Sequence, residues 1–493
     1  MTVLAHQSDT LTRDALAVLQ PGFEGTTAPA WLLRRVGEGL TAVGLFGRNI
    51  ASPEQLAALT AQLRAERDDV LVAIDEEGGD VTRLEVRGGS SFPGNLALGA
   101  VDDTGLTRDV ARELGRRLAE CGVNLNWAPS ADVNSNPDNP VIGVRSFGAD
   151  THLAARHTAA YVEGLQASGV AACTKHFPGH GDTSVDSHHA LPRIDVDLDT
   201  LQARELIPFK AAIEAGTKAV MSAHILVPAL DPTRPATLSP QILTGLLRKE
   251  LGYEGLIVTD GMEMNAIAGT YGIERGSVLA IAAGADAICV GGGLADEATV
   301  LRLRDALVAA VREGTLPEER LADAAARVRE LAAWTLRARP DARPEGSRAS
   351  GIGLTAARRA LAVTGAPGPL SAPYVATLTP VANIAVGDET PWGVAAELAS
   401  LLPGTEAGAY PEGAPAADIL AAAGDRTVVA VVRDAHRHAW MAEAVEALVA
   451  ARPDTVVVEM GLPRAEPRGA LHIATHGASR VCGRAAAEVI AGA

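Results

Sequence analysis

Between residues 16 and 290 the chain repeats one motif of construction: short segments rich in β-formers or apolar residues, most of them separated by stretches with helical periodicity. Eight such segments are legible, at Leu16–Leu19, Ala42–Phe46, Val70–Asp75, Val123–Ala128, Val170–Thr174, Lys218–Ser222, Leu256–Asp260 and Asp286–Val290. Helix starts punctuate the series. Ser52 is placed as N-cap with Pro53 at N1 and Gln55 completing a capping box, and Ser239-Pro240 repeats the start signal before QILTGLLRKEL. Eight strands alternating with helices predict an α/β fold of the (β/α)8 TIM-type barrel class, while a doubly wound open sheet gives much the same string. The long helical run ends near Leu336, and ARPDARPEGSRAS follows it with two prolines and a glycine, which reads as a linker over 339–350. Beyond it, Tyr374–Ala382, Thr427–Arg433 and Thr455–Met460 look like buried strands between apolar helical stretches. The expected organisation is therefore a barrel over 1–338 and a smaller α/β/α layered domain over 351–493. In the latter, Asp434, His436, His438, His472 and His476 are scattered, and a packing or stabilising role is expected.

Composition narrows the partners. The 493 residues carry 43 Lys plus Arg against 60 Asp plus Glu, a formal charge of −17 that repels phosphate backbones and anionic membranes, so neither nucleic acid nor membrane is an expected partner. Cys121, Cys173, Cys289 and Cys482 lie far apart with no C-x-x-C pair, which suits a reducing compartment and suggests neither a zinc knuckle nor a redox dithiol. The first residues place Asp9, Arg13 and Asp14 before any long apolar run, and the expected location is cytoplasmic. Oligomeric state has no sequence signal.

In a barrel, the loops after the strands form the active face, so ionisable residues at strand ends are the candidates for chemistry. Asp75 closes VLVAID, Asp132 follows LNWAPSA, Lys175 and His176 follow VAACT, His224 follows VMSA, and Asp260 closes LIVTD. One Asp at a strand end is ordinarily a loop or helix-cap residue; their joint occurrence at successive strands is what points to a site. The densest stretch is KHFPGHGDTSVDSHH, Lys175 to His189, with four of the chain's 12 histidines. Pro178, Gly179 and Gly181 break any helical spacing of these imidazoles, so no preformed helical metal face is expected, and no metal ligand is assigned among them.

The run KHFPGHGDTSVDSH, together with IDEEGG and Arg83, VIGVRSF, and the strand-ending Asp of VTDGMEM, resembles the family 3 glycoside hydrolases of the β-N-acetylglucosaminidase (β-hexosaminidase) branch. The resemblance covers most of residues 15–335. It implies a (β/α)8-type barrel, no cofactor, and a small N-acetylglucosamine-containing carbohydrate as substrate. It also implies Asp260 as nucleophile, His188 as acid/base oriented by Asp186, and Asp75, Arg83, Arg145, Lys175 and His176 as residues binding the non-reducing sugar. The sequence departs from the family pattern at Glu76 and Asp80, where Gln and Arg are common, and at Gly261-Met262 after the nucleophile. The implied reaction is retaining hydrolysis through a glycosyl-Asp intermediate. An imidazole is uncharged once deprotonated and would not repel an incoming phosphate, so phosphorolysis with the same residues stays open; Gly291–Gly293 reads either as a phosphate-binding loop or as a tight turn. A binding-only carbohydrate protein is the rival of a different class, disfavoured because it has no need of Asp260, His188 and Asp186 together.

Overall fold

The computed structural model describes residues 2–186, 191–338 and 351–493 apart from positions 367, 369, 382, 384, 385 and 388, with side chains from Thr10 onward. The predicted linker over 339–350 lies outside these residues. Eight strands follow one another as β1 (Leu19–Pro21), β2 (Ala42–Leu45), β3 (Leu71–Ile74), β4 (Leu125–Asn126), β5 (Ala171–Phe177), β6 (Ala219–Ser222), β7 (Leu256–Thr259) and β8 (Ile288–Val290). The sheet β2 to β7 is parallel and in chain order, β1 pairs in parallel with β8, and a parallel bridge from Val258 to Ala287 links β7 to the approach of β8. One buried cluster gathers alternate residues from successive strands, among them Ala42, Ala73, Leu125, Cys173, Met221, Val258 and Cys289. Only the inward faces of a barrel bring these together. Val328, Leu331 and Ala332 of the helix Glu318–Arg337 join that cluster.

Most barrel strands begin and end within two residues of the sequence reading, and two boundaries, at β1 and β5, differ by three. Leu16 and Ala17 end a helix, Thr2–Ala17, and β1 begins only at Leu19. All four residues Leu16 to Leu19 are buried, and an apolar run buried on every side has no periodicity to separate helix end from strand start. At the other extreme β5 runs on through Lys175 and His176, because the segment after β4 supplies partners: Lys175 N donates to Pro129 O at 3.0 Å and Ala131 N to Lys175 O at 2.6 Å. The Ser52 cap forms as expected, accepting from Gln55 N at 3.2 Å, but the expected reciprocal bond shifts by one residue, Gln55 Oε1 accepting from Ala51 N at 2.7 Å.

A second sheet comprises β9 (Ala362–Gly365), β10 (Tyr374–Thr379), β11 (Glu406–Pro411), β12 (Val428–Val432), β13 (Val456–Glu459) and β14 (Leu471–Ala474). Its order is β11-β10-β12-β13-β14-β9, parallel except for β9, which pairs antiparallel with β14. Val429, Val431, Val456 and Ile473 face one buried cluster with the helix Arg480–Ala491; Ala376, Val428, Ala430 and Val457 face another with the helices Ala416–Ala423 and Ala439–Ala451. That alternation makes three α/β/α layers. The compact units are interleaved along the chain. The first holds residues 1–76, 107–141 and 149–346, and the second holds 77–106, 142–148 and 347–493. Among the described residues no helix is long and apolar enough to cross a membrane.

Candidate active site

In the first unit the ionisable residues collect at the C-terminal ends of the barrel strands. Asp75, just past β3, accepts a hydrogen bond from Lys175 Nζ of β5 at 2.5 Å; the lysine is 3% exposed and the aspartate 20%, so the pair is desolvated on one side and reachable on the other. Beneath it Cys173 reports the local field. Burial pushes its thiol up, Lys175 opposes this, and the carboxylates of Asp75 and Asp260 add to it. Those three charges therefore share the surroundings of one buried thiol. Asp260 follows β7, half-buried, with Oδ1 accepting from Gly261 N at 2.7 Å and its own N donating to Ser222 O at 3.2 Å. His224, past β6, donates from Nε2 to Gly261 O at 3.0 Å and meets Thr237 Oγ1 through Nδ1 at 2.9 Å, which steadies the residue after Asp260.

The histidine loop is organised by a carboxylate to which the sequence reading gave no role. Asp132 is fully buried; its Oδ1 accepts from the backbone N of His176 at 3.2 Å and of His180 at 2.7 Å, and its Oδ2 takes His176 Nδ1 at 2.7 Å and Ser130 Oγ at 2.9 Å. Burial by itself would raise this carboxyl, but the charge and hydrogen bonds of His176, with those of His180, outweigh it and bring it down to about 2. His180 is driven the other way, down to about 4, by burial and by neighbouring His176, against the pull of Asp132. Its Nδ1 lies 2.8 Å from Thr183 Oγ1. Asn139 Nδ2 donates to His180 O at 2.9 Å and Gly181 O at 3.0 Å, and Arg204 reaches Asp182 at 2.6 Å, so the loop is fastened from outside itself. Gly181 is required here, since a Cβ on it would stand 1.7 Å from Val133 O. Asp186 is buried at the end of the described stretch, and His188 lies outside the described residues.

The remaining predicted binding residues belong to the second unit. Arg145 is buried, and its guanidinium clasps Glu77: Nη2 to Oε1 at 2.6 Å and Nε to Oε2 at 3.0 Å, with side chains 5% and 3% exposed. Glu77 is the other residue the sequence reading missed; it stood in the quoted IDEEGG motif, but nothing in its spacing to residue 145 announces the pair. Arg83 is half-buried on the same segment. Of the two departures in that motif, Glu76 is buried with its backbone bracketed by the Asn126 side chain at 3.0 and 2.7 Å, and Asp80 pairs with Arg433 and accepts from Ala478 N at 2.7 Å.

The three glycines after β8 present their N–H groups to one acceptor. Glu263 Oε1 accepts from Gly291 N at 2.9 Å, from Gly292 N, and from Gly293 N at 3.4 Å, while Arg48 donates to the carbonyls of Gly291 and Gly292. This concavity of donors, which would suit a phosphate, already holds a carboxylate of the chain itself.

Residues 32–331 match the family model described as "Glycosyl hydrolase family 3 N terminal domain". Beta-hexosaminidase A of Pseudoalteromonas piscicida is 38% identical over 312 residues, which are 58% of this chain and 52% of that protein, so the chain spans about half the length of this relative. The beta-hexosaminidase of Neisseria gonorrhoeae is 36% identical over 265 residues, 52% of this chain and 73% of that one. The solved structure of a glycoside hydrolase family 3 beta-N-acetylglucosaminidase from a Paenibacillus species is 35% identical, with a TM-score of 0.86, covering 98% of this chain and 96% of its own.

Proposed function

The chain belongs to glycosyl hydrolase family 3, and from that premise we propose that it is a retaining exo-β-N-acetylglucosaminidase acting on chito-oligosaccharides or cell-wall fragments. The observation that carries the reading is the placement of Asp260: a half-exposed carboxylate at the end of β7, in the same electrostatic surroundings as the Asp75–Lys175 pair. In this mechanism Asp260 attacks the anomeric carbon while His188, oriented by Asp186, protonates the departing glycosidic oxygen. His188 then takes a proton from the water that releases the sugar with its configuration retained. Asp75 offers an acceptor to sugar hydroxyls and Lys175, Arg83 and Arg145 offer donors, with the His176 ring beside them. His180 serves poorly as an alternative acid, because an imidazole held near 4 is uncharged at neutral pH and a weak proton donor.

The carboxylate of Glu263 in the Gly291–Gly293 concavity supports hydrolysis over phosphorolysis, since an incoming phosphate would meet a negative charge where the donors are. The four cysteines are free and buried, which suits the reducing cytoplasm as the place of action. The test is incubation with a chromogenic N-acetyl-β-glucosaminide, with and without inorganic phosphate, followed by mass identification of the sugar. Free N-acetylglucosamine under both conditions is expected; N-acetylglucosamine 1-phosphate formed only with phosphate would establish the phosphorylase instead.

A further inference from the structure

We propose that Arg433, at the C-terminal end of β12, is a positioning residue of the substrate-binding arm, acting through the buried carboxylate of Asp80. The arm consists of residues 77–83 and 142–148, and the inference rests on the reading above that Arg83 and Arg145 bind the sugar. Every contact involved lies within the second unit. Asp80 is anchored twice on the second sheet. Its Oδ2 takes the Arg433 guanidinium, with side chains 2% and 16% exposed, and its Oδ1 accepts from the backbone N of Ala478, just past β14.

From Asp80 the link to Arg145 is short. Glu77 N donates to Val81 O at 3.1 Å, closing a tight turn that contains Asp80, and Glu77 then clasps Arg145. The turn cannot relax sideways: Gly79 has φ +64°, and a Cβ on it would stand 2.6 Å from Gly94 Cα. Asp80 and Arg145 line one small cleft together with Glu77, Gly94 and Asn95, and Asn95 Nδ2 donates to Arg145 O at 2.7 Å. Leu462, just past β13, packs on Leu96 and on Val144, the residue before Arg145. Three strand ends of the layered sheet thus grip the two segments of the arm. A buried ion pair gains little stability over an apolar pair of the same shape, because desolvation offsets most of the attraction. What it supplies here is a fixed register for the turn that holds Glu77, and so for the guanidinium Glu77 holds.

The test uses the full chain, measuring KM and kcat on a chromogenic N-acetyl-β-glucosaminide and calorimetric Kd for N-acetylglucosamine. Arg433→Met, which keeps the stem and removes the charge, is expected to raise KM and Kd about tenfold or more while kcat stays within about threefold, and Arg433→Lys to recover most of the loss. Asp80→Asn/Arg433→Met leaves no unpaired buried charge, so it guards against simple failure to fold and is expected to keep the raised KM. Wild-type KM and Kd in either folded Arg433→Met protein overturn the proposal and leave the hydrolase reading standing. A wild type that neither binds nor turns over the sugar overturns the hydrolase reading, and this proposal with it.

Discussion

A fully buried carboxylate persists as an anion only where hydrogen bonds replace its lost hydration. Asp132 meets that condition with two backbone N–H groups, one hydroxyl and one imidazole, and so fixes where His176 and His180 stand. Its position after β4 was legible in the sequence, but its role was not, since no spacing rule ties residue 132 to a loop that begins at residue 175. His180 carries the pH consequence. Held near 4 in the fold against about 6.5 in an unfolded chain, it stays neutral while the unfolded state gains a proton, so stability falls as pH drops from about 6.5 toward 4. The contribution is at most about 1.4 kcal/mol per pH unit. Thermal unfolding across that window should show His180→Gln with a shallower decline than wild type; equal slopes would contradict the assignment. Asp260→Ala is expected to lower kcat by about 10⁴-fold or more, as removal of a nucleophile acting in concert with an acid does. Near wild-type turnover in that variant would remove the proposed mechanism.

Among the elements, the strands with buried, β-branched runs were readable to within one or two residues; those whose partners lie outside them were not. β5 continues through Lys175 and His176 because residues 129–131 pair with it, a tertiary cause invisible in a single sequence. β9, β11 and β14 escaped notice: the first two are sheet edges with mostly exposed positions and no clean apolar alternation, while β14 is a buried four-residue strand, LHIA, too short and too poor in β-branched residues to stand out. The histidine loop was conspicuous by its histidines and glycines, yet the reason for one of those glycines emerges only from packing. Gly181→Ala puts a methyl group 1.7 Å from Val133 O, and overpacking of that kind costs about 1–3 kcal/mol. The expected result is a lower midpoint of thermal unfolding together with reduced kcat/KM, whereas an unchanged midpoint would show that the loop yields freely.

On the scale of the whole molecule, chain order and spatial organisation part company. Residues 77–106 and 142–148 are inserted in the barrel sequence but pack with residues 347–493. Read linearly, the C-terminal layers look like a stabilising appendage; in space they supply Arg433, Leu462 and the Ala478 amide to the segments that carry Arg83 and Arg145. A chain ending near Arg348 is therefore expected to lose N-acetylglucosamine binding even where the barrel remains soluble and helical by circular dichroism. Full activity in that truncation would show that the arm needs no such support. The most direct measurement concerns the covalent step at Asp260: reaction with a fluorinated N-acetylglucosaminyl donor that forms the intermediate quickly and releases it slowly, followed by proteolysis and peptide mass analysis. The mass of one sugar on the peptide containing Asp260, absent from Asp260→Ala, is the predicted result; a label on another carboxylate, or none in an enzyme that turns over, would contradict it.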